Sequence, residues 1–600
     1  MQTSQGPLSR RERIESDLRL LQAIARVVPD VAKNRASSTS TVGDRIEKIV
    51  DDHGADIAII DASDGGRTVT YAELDAHANR VAGWAIEQGI VKGDVVALLM
   101  ANRPEFVSIW LGLAKLGAVT ALINTNLTGE PLRHSIRVSG AEHVVIDAEL
   151  ADQWAEARDD DGLTEWHWGG PTDPAGLDAA LAATSNARPD PDVRAGLVNG
   201  DPLFFIYTSG TTGLPKAARF SHGKFLNAAR GSAGLIGFTS TDRMYVTLPL
   251  YHTAGGVMAL GAPLLNGGTA IITRKFSASR FWDDCVHHGA TTFQYIGELC
   301  RYLTNSPTHP LERAHQLRIC IGNGLRPDVW PTFQERFELP RIIEFYGATE
   351  GTASLFNLDN RVGAIGRLRP ALARRMGIHL VRYDVAAEEI ERDADGRVIE
   401  VGPEEPGEAI TRISNITPFE GYSDELASEQ KILRGAFEDG DTYFRTGDLL
   451  SQDEDGYYFF VDRVGDTFRW KGENVSTAEV SAVLGECDGV LEANVYGVDV
   501  PGTDGRAGMA TLVVNDDFSP ESVLVHVTTN LAAYARPLFL RIQTEVEITA
   551  TFKHRKKDAV EEGFDPTLPD PIWFLDPGTG AYLLLDDELH RRITTGEVRV

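Results

Sequence analysis

The chain has 600 residues, too many for one ordinary core, so more than one domain is expected. Its 42% hydrophobic and 24% charged content is that of a soluble globular protein, and a net charge of −29 argues against nucleic-acid binding and reads as solubility. Cys285, Cys300, Cys320 and Cys487 form no CxxC and have no histidine at zinc-ligand spacing, so they read as structural thiols in a reducing compartment.

The N-terminus, MQTSQGPLSRRERIESDLRL, has no apolar h-region and is not a secretory signal. Leu18, Leu21, Ala25 and Val28 fall near one helical face. This stripe is expected to pack on the body of the protein, with peripheral membrane contact as the other reading. From about residue 50 to 350, apolar strands alternate with helical stretches such as 71–90. The strand candidates are 95–100, 143–148, 204–207, 270–273, 293–296, 318–321 and 341–345. The pattern predicts an α/β fold of layered, largely parallel sheets with ligands at the carboxyl ends of strands. The longest uncharged run, Ala254 to Ile272, holds five glycines and Pro263 and reads as helix, turn and strand rather than a membrane span.

After about residue 355 the strands shorten and charged turns multiply, predicting a β-rich subdomain of hairpins. From Asp462 onward TAEVSAVLGE reads as helix and LEANVYGVDV as strand, predicting a small mobile α+β domain. The expected division is a large ATP- and acyl-binding domain, 1–462, and a small lid domain, 463–600, whose end, 567–600, is an ordered extension.

The stretch YTSGTTGLPKAARFSH, Tyr207 to His222, combines glycines, hydroxyls and a lysine as a phosphate-holding loop does. It is not a Walker A: counting from Gly210, the sixth position is Pro215 and Ala217 follows the lysine, so the magnesium-binding hydroxyl is missing. The string Ser209 to Lys216, SGTTGxPK, resembles the phosphate loop of the adenylate-forming superfamily of acyl-CoA synthetases, luciferases and peptide-synthetase adenylation domains. YGATEG (346–351), YFRTGDL (443–449) and DRVGDTFRWKGENVS (462–476) resemble, in order, its adenine/magnesium, ribose and hinge motifs. INTNLTGEPLRHSI (123–136), PLYHTAGG (249–256), TFKHRKKDAVEEGFDP (551–566) and the C-terminal IWFLDPGTGAYLLLDDELHRRI resemble the fatty acid transport protein / very-long-chain acyl-CoA synthetase branch.

The resemblance implies ATP-dependent activation of a fatty acid to acyl-AMP, then transfer to CoA, with Mg²⁺ as cofactor. Thr208, Ser209, Gly210, Thr211, Thr212 and Gly213 would hold the β- and γ-phosphates, with Lys216 on a terminal phosphate or in an ion pair securing the loop. Glu350 would hold Mg²⁺ and Thr349 would contact the α-phosphate. Tyr346, Gly347 and Ala348 would lie on one side of adenine and Gly322, Asn323 and Gly324 on the other. Asp448 would accept the ribose hydroxyls and Arg463 would assist at ribose or phosphate.

Lys553 is the expected catalytic lysine, with Lys556 and Lys557 close behind it; Phe552 replaces the family's usual glycine. The hinge is expected at 463–466, with Gly465 or Asp466 as pivot. Trp470, Lys471, Gly472 and Glu473 would border the pantetheine tunnel, and His252 the acyl tunnel or a packed, capped position. Rival readings are an acyl-AMP ligase loading a carrier protein, a lipid uptake or binding protein, and a ligase for sterol- or bile-acid-like carboxylates. The protein is expected to be a monomer or homodimer, cytoplasmic, with peripheral contact at the inner face of the membrane left open.

Overall fold

The computed structural model describes residues 6–159, 162–169, 176–209, 214–348, 351–352, 354–385, 387–414, 417–503, 505–545, 556–598 and 600. Helix α1 (Arg10–Lys33) starts at a capping box, in which Ser9 and Glu12 satisfy each other's backbone N–H groups. It packs on α2 (His222–Ile236) through its side bearing Leu20, Ala23 and Val27; a Cβ on Gly234 of α2 would lie 2.9 Å from Val27. The expected packing of the other stripe does not occur. Leu18, Leu21 and Val28 are 52%, 60% and 53% exposed, because the helix carries two apolar sides and the one with the smaller residues fits α2.

Two sheets face each other across the main apolar core. One has six strands. Five are parallel, ending with β1 (Pro202–Ser209), with which β2 (Pro215–Ser221) pairs antiparallel. The other has eight strands and includes β3 (Thr292–Ile296), β4 (Ile319–Asn323) and β5 (Ile342–Gly347), which lie side by side and parallel. Val96, Leu98 and Leu122 of the first sheet and Val246, Ile321 and Ile343 of the second share this core. Helix α3 (Gly297–Asn305) covers the other face of the second sheet, burying Leu299, Cys300 and Leu303 against Phe293 and Tyr295. Strands buried on both faces explain why their sequences are continuous apolar runs. The run 254–272 forms a π-helical turn (Thr253–Ala259), a short helix and a strand.

Residues 364–463 build the third sheet, whose strand pairs are all antiparallel and whose central strands are β6 (Thr442–Gln452) and β7 (Tyr457–Arg463). The C-terminal part has its own core, from Phe468 to Ile593, around a five-stranded sheet and α4 (Thr477–Gly485). Strands Ile572–Asp576 and Ala581–Leu584 complete that sheet, which is why the end of the chain is apolar. Arg301 of α3 ties this unit to the larger body, donating to the Leu491 carbonyl at 2.6 Å and pairing with Glu492 at 3.2 Å. All four cysteines are free and buried. Among the described residues no helix is long and apolar enough to cross a membrane.

Candidate functional site

Strand β1 leads into the glycine-rich segment and β2 leads out of it, with Thr208 opposite Lys216 and Ser209 opposite Pro215. The segment is therefore flanked by two antiparallel strands, not by a strand and a helix as in a P-loop; α2 begins only at His222, capped by Ser221. Gly210, Thr211, Thr212 and Gly213 lie outside the described residues, as does the Ser209 side chain. Lys216 Nζ stands 5.9 Å from the centre of the Tyr422 ring, a cation–π contact. The 417–424 region docks on β2: Ser221 donates through N–H and hydroxyl to Glu420 at 2.8 and 2.6 Å.

The nucleotide-motif residues converge where β4, β5 and the β6–β7 pair end. Gly322 and Asn323 close β4, and Gly324 follows in a left-handed conformation, φ 78°. Gly322 is required by close approach, since a Cβ there would meet the Tyr295 carbonyl at 2.3 Å. Tyr346 and Gly347 end β5, and Ala348 follows. The Tyr346 hydroxyl donates to Asp448 Oδ2 at 2.7 Å. Burial and the Asp448 carboxylate push this phenol well above its ordinary pKa, so it remains a donor. Asp448 sits opposite Arg463 in the β6–β7 ladder, with Arg463 Nε 3.7 Å from its Oδ1. An acceptor carboxylate, a guanidinium and a glycine-lined strand end suit a ribose hydroxyl pair and a flat base. Thr349 and Glu350 lie outside the described residues. No cluster of three His, Cys, Asp or Glu that could hold a metal occurs among the described residues.

Beyond Arg463 the chain turns tightly, with the Asp466 and Thr467 N–H groups donating to the Arg463 carbonyl. Gly465 has an ordinary φ and open space around it. Asp466 is fastened by Lys556, whose Nζ donates to Asp466 Oδ2 at 2.9 Å and to Thr477 Oγ1 at 2.8 Å. Asp462, 2% exposed, sits beside this contact and accepts the Thr477 N–H at 2.6 Å; burial raises its carboxyl while Lys556 opposes the rise. Lys553 lies outside the described residues.

Trp470 to Glu473 form the tip of the hairpin between Phe468–Trp470 and Glu473–Val475. Lys471 and Gly472 take φ values of 53° and 87°, so the turn itself accounts for the glycine. Trp470 is buried in the C-terminal core, and Lys471 Nζ lies 5.5 Å from its ring centre. His252 caps the π-helical turn, its Nδ1 accepting the Ala254 N–H at 3.3 Å, which matches the capped alternative.

Glu344 was not foreseen from the sequence, and Lys556 was named there only as a close neighbour of Lys553. Glu344 is an acid inside the apolar strand β5, and that anomaly was the available signal. Lys556 is one of three clustered lysines, and only its partners distinguish it.

The chain matches the family model of AMP-binding enzymes over residues 46–411 and that of the AMP-binding enzyme C-terminal domain over 479–553. It is 43% identical over 555 residues to long-chain fatty acid transport protein 1 of Mus musculus, covering 90% of this chain and 85% of that protein. Among solved structures, ATP-bound MatB from Rhodopseudomonas palustris aligns with a TM-score of 0.71 at 25% identity, over 86% of this chain and 98% of MatB. A Mycobacterium tuberculosis fatty acyl CoA synthetase aligns with a TM-score of 0.62 at 25% identity, over 87% and 98%. The chain belongs to the AMP-binding enzyme family, within the branch of the long-chain fatty acid transport proteins.

Proposed function

We propose that this protein is an AMP-forming ligase that joins long- or very-long-chain fatty acids to CoA. The observation that carries the reading is the meeting of Tyr346, at the end of β5, with Asp448 and Arg463, the last pair of the β6–β7 ladder, in a chain 43% identical to a long-chain fatty acid transport protein. A carboxylate oxygen of the acid attacks the α-phosphorus of ATP; the new O–P bond forms as the bond to pyrophosphate breaks. The thiol sulfur of CoA then loses its proton to solvent and attacks the acyl carbonyl, a C–S bond forms, and AMP leaves with the electron pair of its C–O bond.

Asp448 and Arg463 orient the ribose, Gly322 to Gly324 and Tyr346 to Ala348 enclose the base, and the glycine-rich segment 208–216 receives the departing pyrophosphate. Mg²⁺, held by Glu350, would neutralise phosphate charge. Lys553 supplies positive charge between carboxylate and α-phosphate, from a small domain that we divide from the large one at 463. CoA and ATP as substrates support a cytoplasmic site of action, and the exposed Leu18, Leu21 and Val28 stripe supports peripheral contact with a membrane surface.

The test is fatty-acid-dependent pyrophosphate release with and without CoA, across C12 to C26 acids and a bile acid. Acyl-CoA formation supports the proposal. No ATP consumption with any acid would leave a lipid-binding protein, and acyl-AMP that accumulates despite CoA would indicate loading of a carrier protein instead.

A further inference from the structure

Glu344 is 2% exposed. One carboxyl oxygen accepts the Tyr295 hydroxyl at 2.5 Å and the other accepts the Leu325 N–H at 3.1 Å. A buried acid usually has a cationic partner. Among the described residues the titratable groups facing Glu344 are Tyr295 of β3 and Cys300 of α3, and neither is a cation. Burial accordingly pushes the carboxyl up to about 8, so it is a neutral hydrogen-bonding acid at pH 7.

These bonds hold the turn that closes β4. Gly322 pairs with Glu344 on one side of its ladder and with Tyr295 on the other. A Cβ on Gly297 would lie 1.7 Å from the Gly324 carbonyl oxygen, so the turn also closes against the start of α3. Two residues along the same face of β5, Tyr346 reaches Asp448. One strand thus grips both the turn assigned to the base and the carboxylate assigned to the sugar.

We propose that Glu344 is a positioning residue that sets the shape of the base-binding wall at Gly322 to Gly324 and so governs nucleobase selection. The inference rests on the adenylate-forming reading above. Its test is pyrophosphate release with ATP or GTP and a C16 fatty acid, in the wild type and in Glu344→Leu, Glu344→Gln and Tyr295→Phe.

Glu344→Leu strands the Leu325 N–H and the Tyr295 hydroxyl; the KM for ATP is expected to rise about tenfold and the preference for ATP over GTP to shrink, with the fatty acid KM unchanged. Glu344→Gln keeps an acceptor and is expected to restore the ATP KM. It should also abolish the rise in ATP KM that the wild type shows as pH passes about 8, where ionisation places an uncompensated charge beside the anionic nucleotide. Tyr295→Phe is expected to raise the ATP KM about threefold. Folded Glu344→Leu with unchanged ATP KM and ATP/GTP ratio would overturn the proposal, as would Glu344→Gln with the wild-type pH profile if the leucine variant does not fold. A wild type that releases no pyrophosphate sinks the ligase reading instead.

Discussion

The Tyr346 hydroxyl donates to Asp448 across 2.7 Å, joining the end of a parallel strand to a strand of the antiparallel sheet. This contact orients Asp448 before any nucleotide arrives. Tyr346→Phe removes the donor but keeps the ring, so the KM for ATP is expected to rise about three- to tenfold with kcat nearly unchanged. Steady-state kinetics at saturating fatty acid measures it; an unchanged KM would mean that Asp448 is oriented by other contacts.

Lys556 and Lys553 should separate in the two half-reactions. Lys556 is committed to Asp466 and Thr477, so Lys556→Ala is expected to leave adenylation within about threefold of wild type, as for a partly exposed pair. Lys553→Ala is expected to slow adenylation by on the order of 100-fold or more while sparing thioester formation from supplied acyl-AMP. Pyrophosphate exchange and acyl-AMP consumption read the two steps separately. The reverse pattern would make Lys556 the catalytic group.

The strands were legible because each is a short, doubly buried apolar run, and β3, β4 and β5 fall where the sequence places them. Which sheet a strand joins was not legible: the strands flanking the glycine-rich segment belong to one sheet while Gly322 and Tyr346 belong to another. The side of α1 that packs was also hidden, since both sides are apolar and only the fit to α2 selects one. Tyr346, Asp448 and Arg463 were readable from motifs, but their mutual contact was not, because it spans 102 residues. Glu344 escaped notice because its partners, Tyr295 and Leu325, come from other segments.

A buried cation holds the first sheet's helices together. Lys115 is 0% exposed, and its ammonium donates to Glu47 at 2.9 Å and to Asp75 and Asn79 at 2.6 Å. Lys115→Met leaves those acids facing each other without it, although Arg194 still pairs with Glu47 and Arg188 with Asp75. The expected loss is about 3–5 kcal/mol of stability, read as a lower urea midpoint for the large domain. A midpoint at the wild-type value would show that the two arginines suffice.

His222 provides a pH test that does not depend on catalysis. It is 0% exposed, and among the described residues neither ring nitrogen has a hydrogen-bond partner. Burial lowers its pKa to about 4, from an ordinary value near 6.5. Between those values the unfolded chain binds a proton that the folded chain does not, so stability falls as pH drops from about 6.5 towards 4. The expected loss is on the order of 3 kcal/mol, fully developed only near the lower end. His222→Phe removes the titration and should flatten the dependence of Tm on pH in this window while leaving Tm at pH 8 close to wild type. A variant whose Tm falls with acid as steeply as the wild type would assign the acid sensitivity to other groups, such as the carboxylates paired with Arg194 and Arg318.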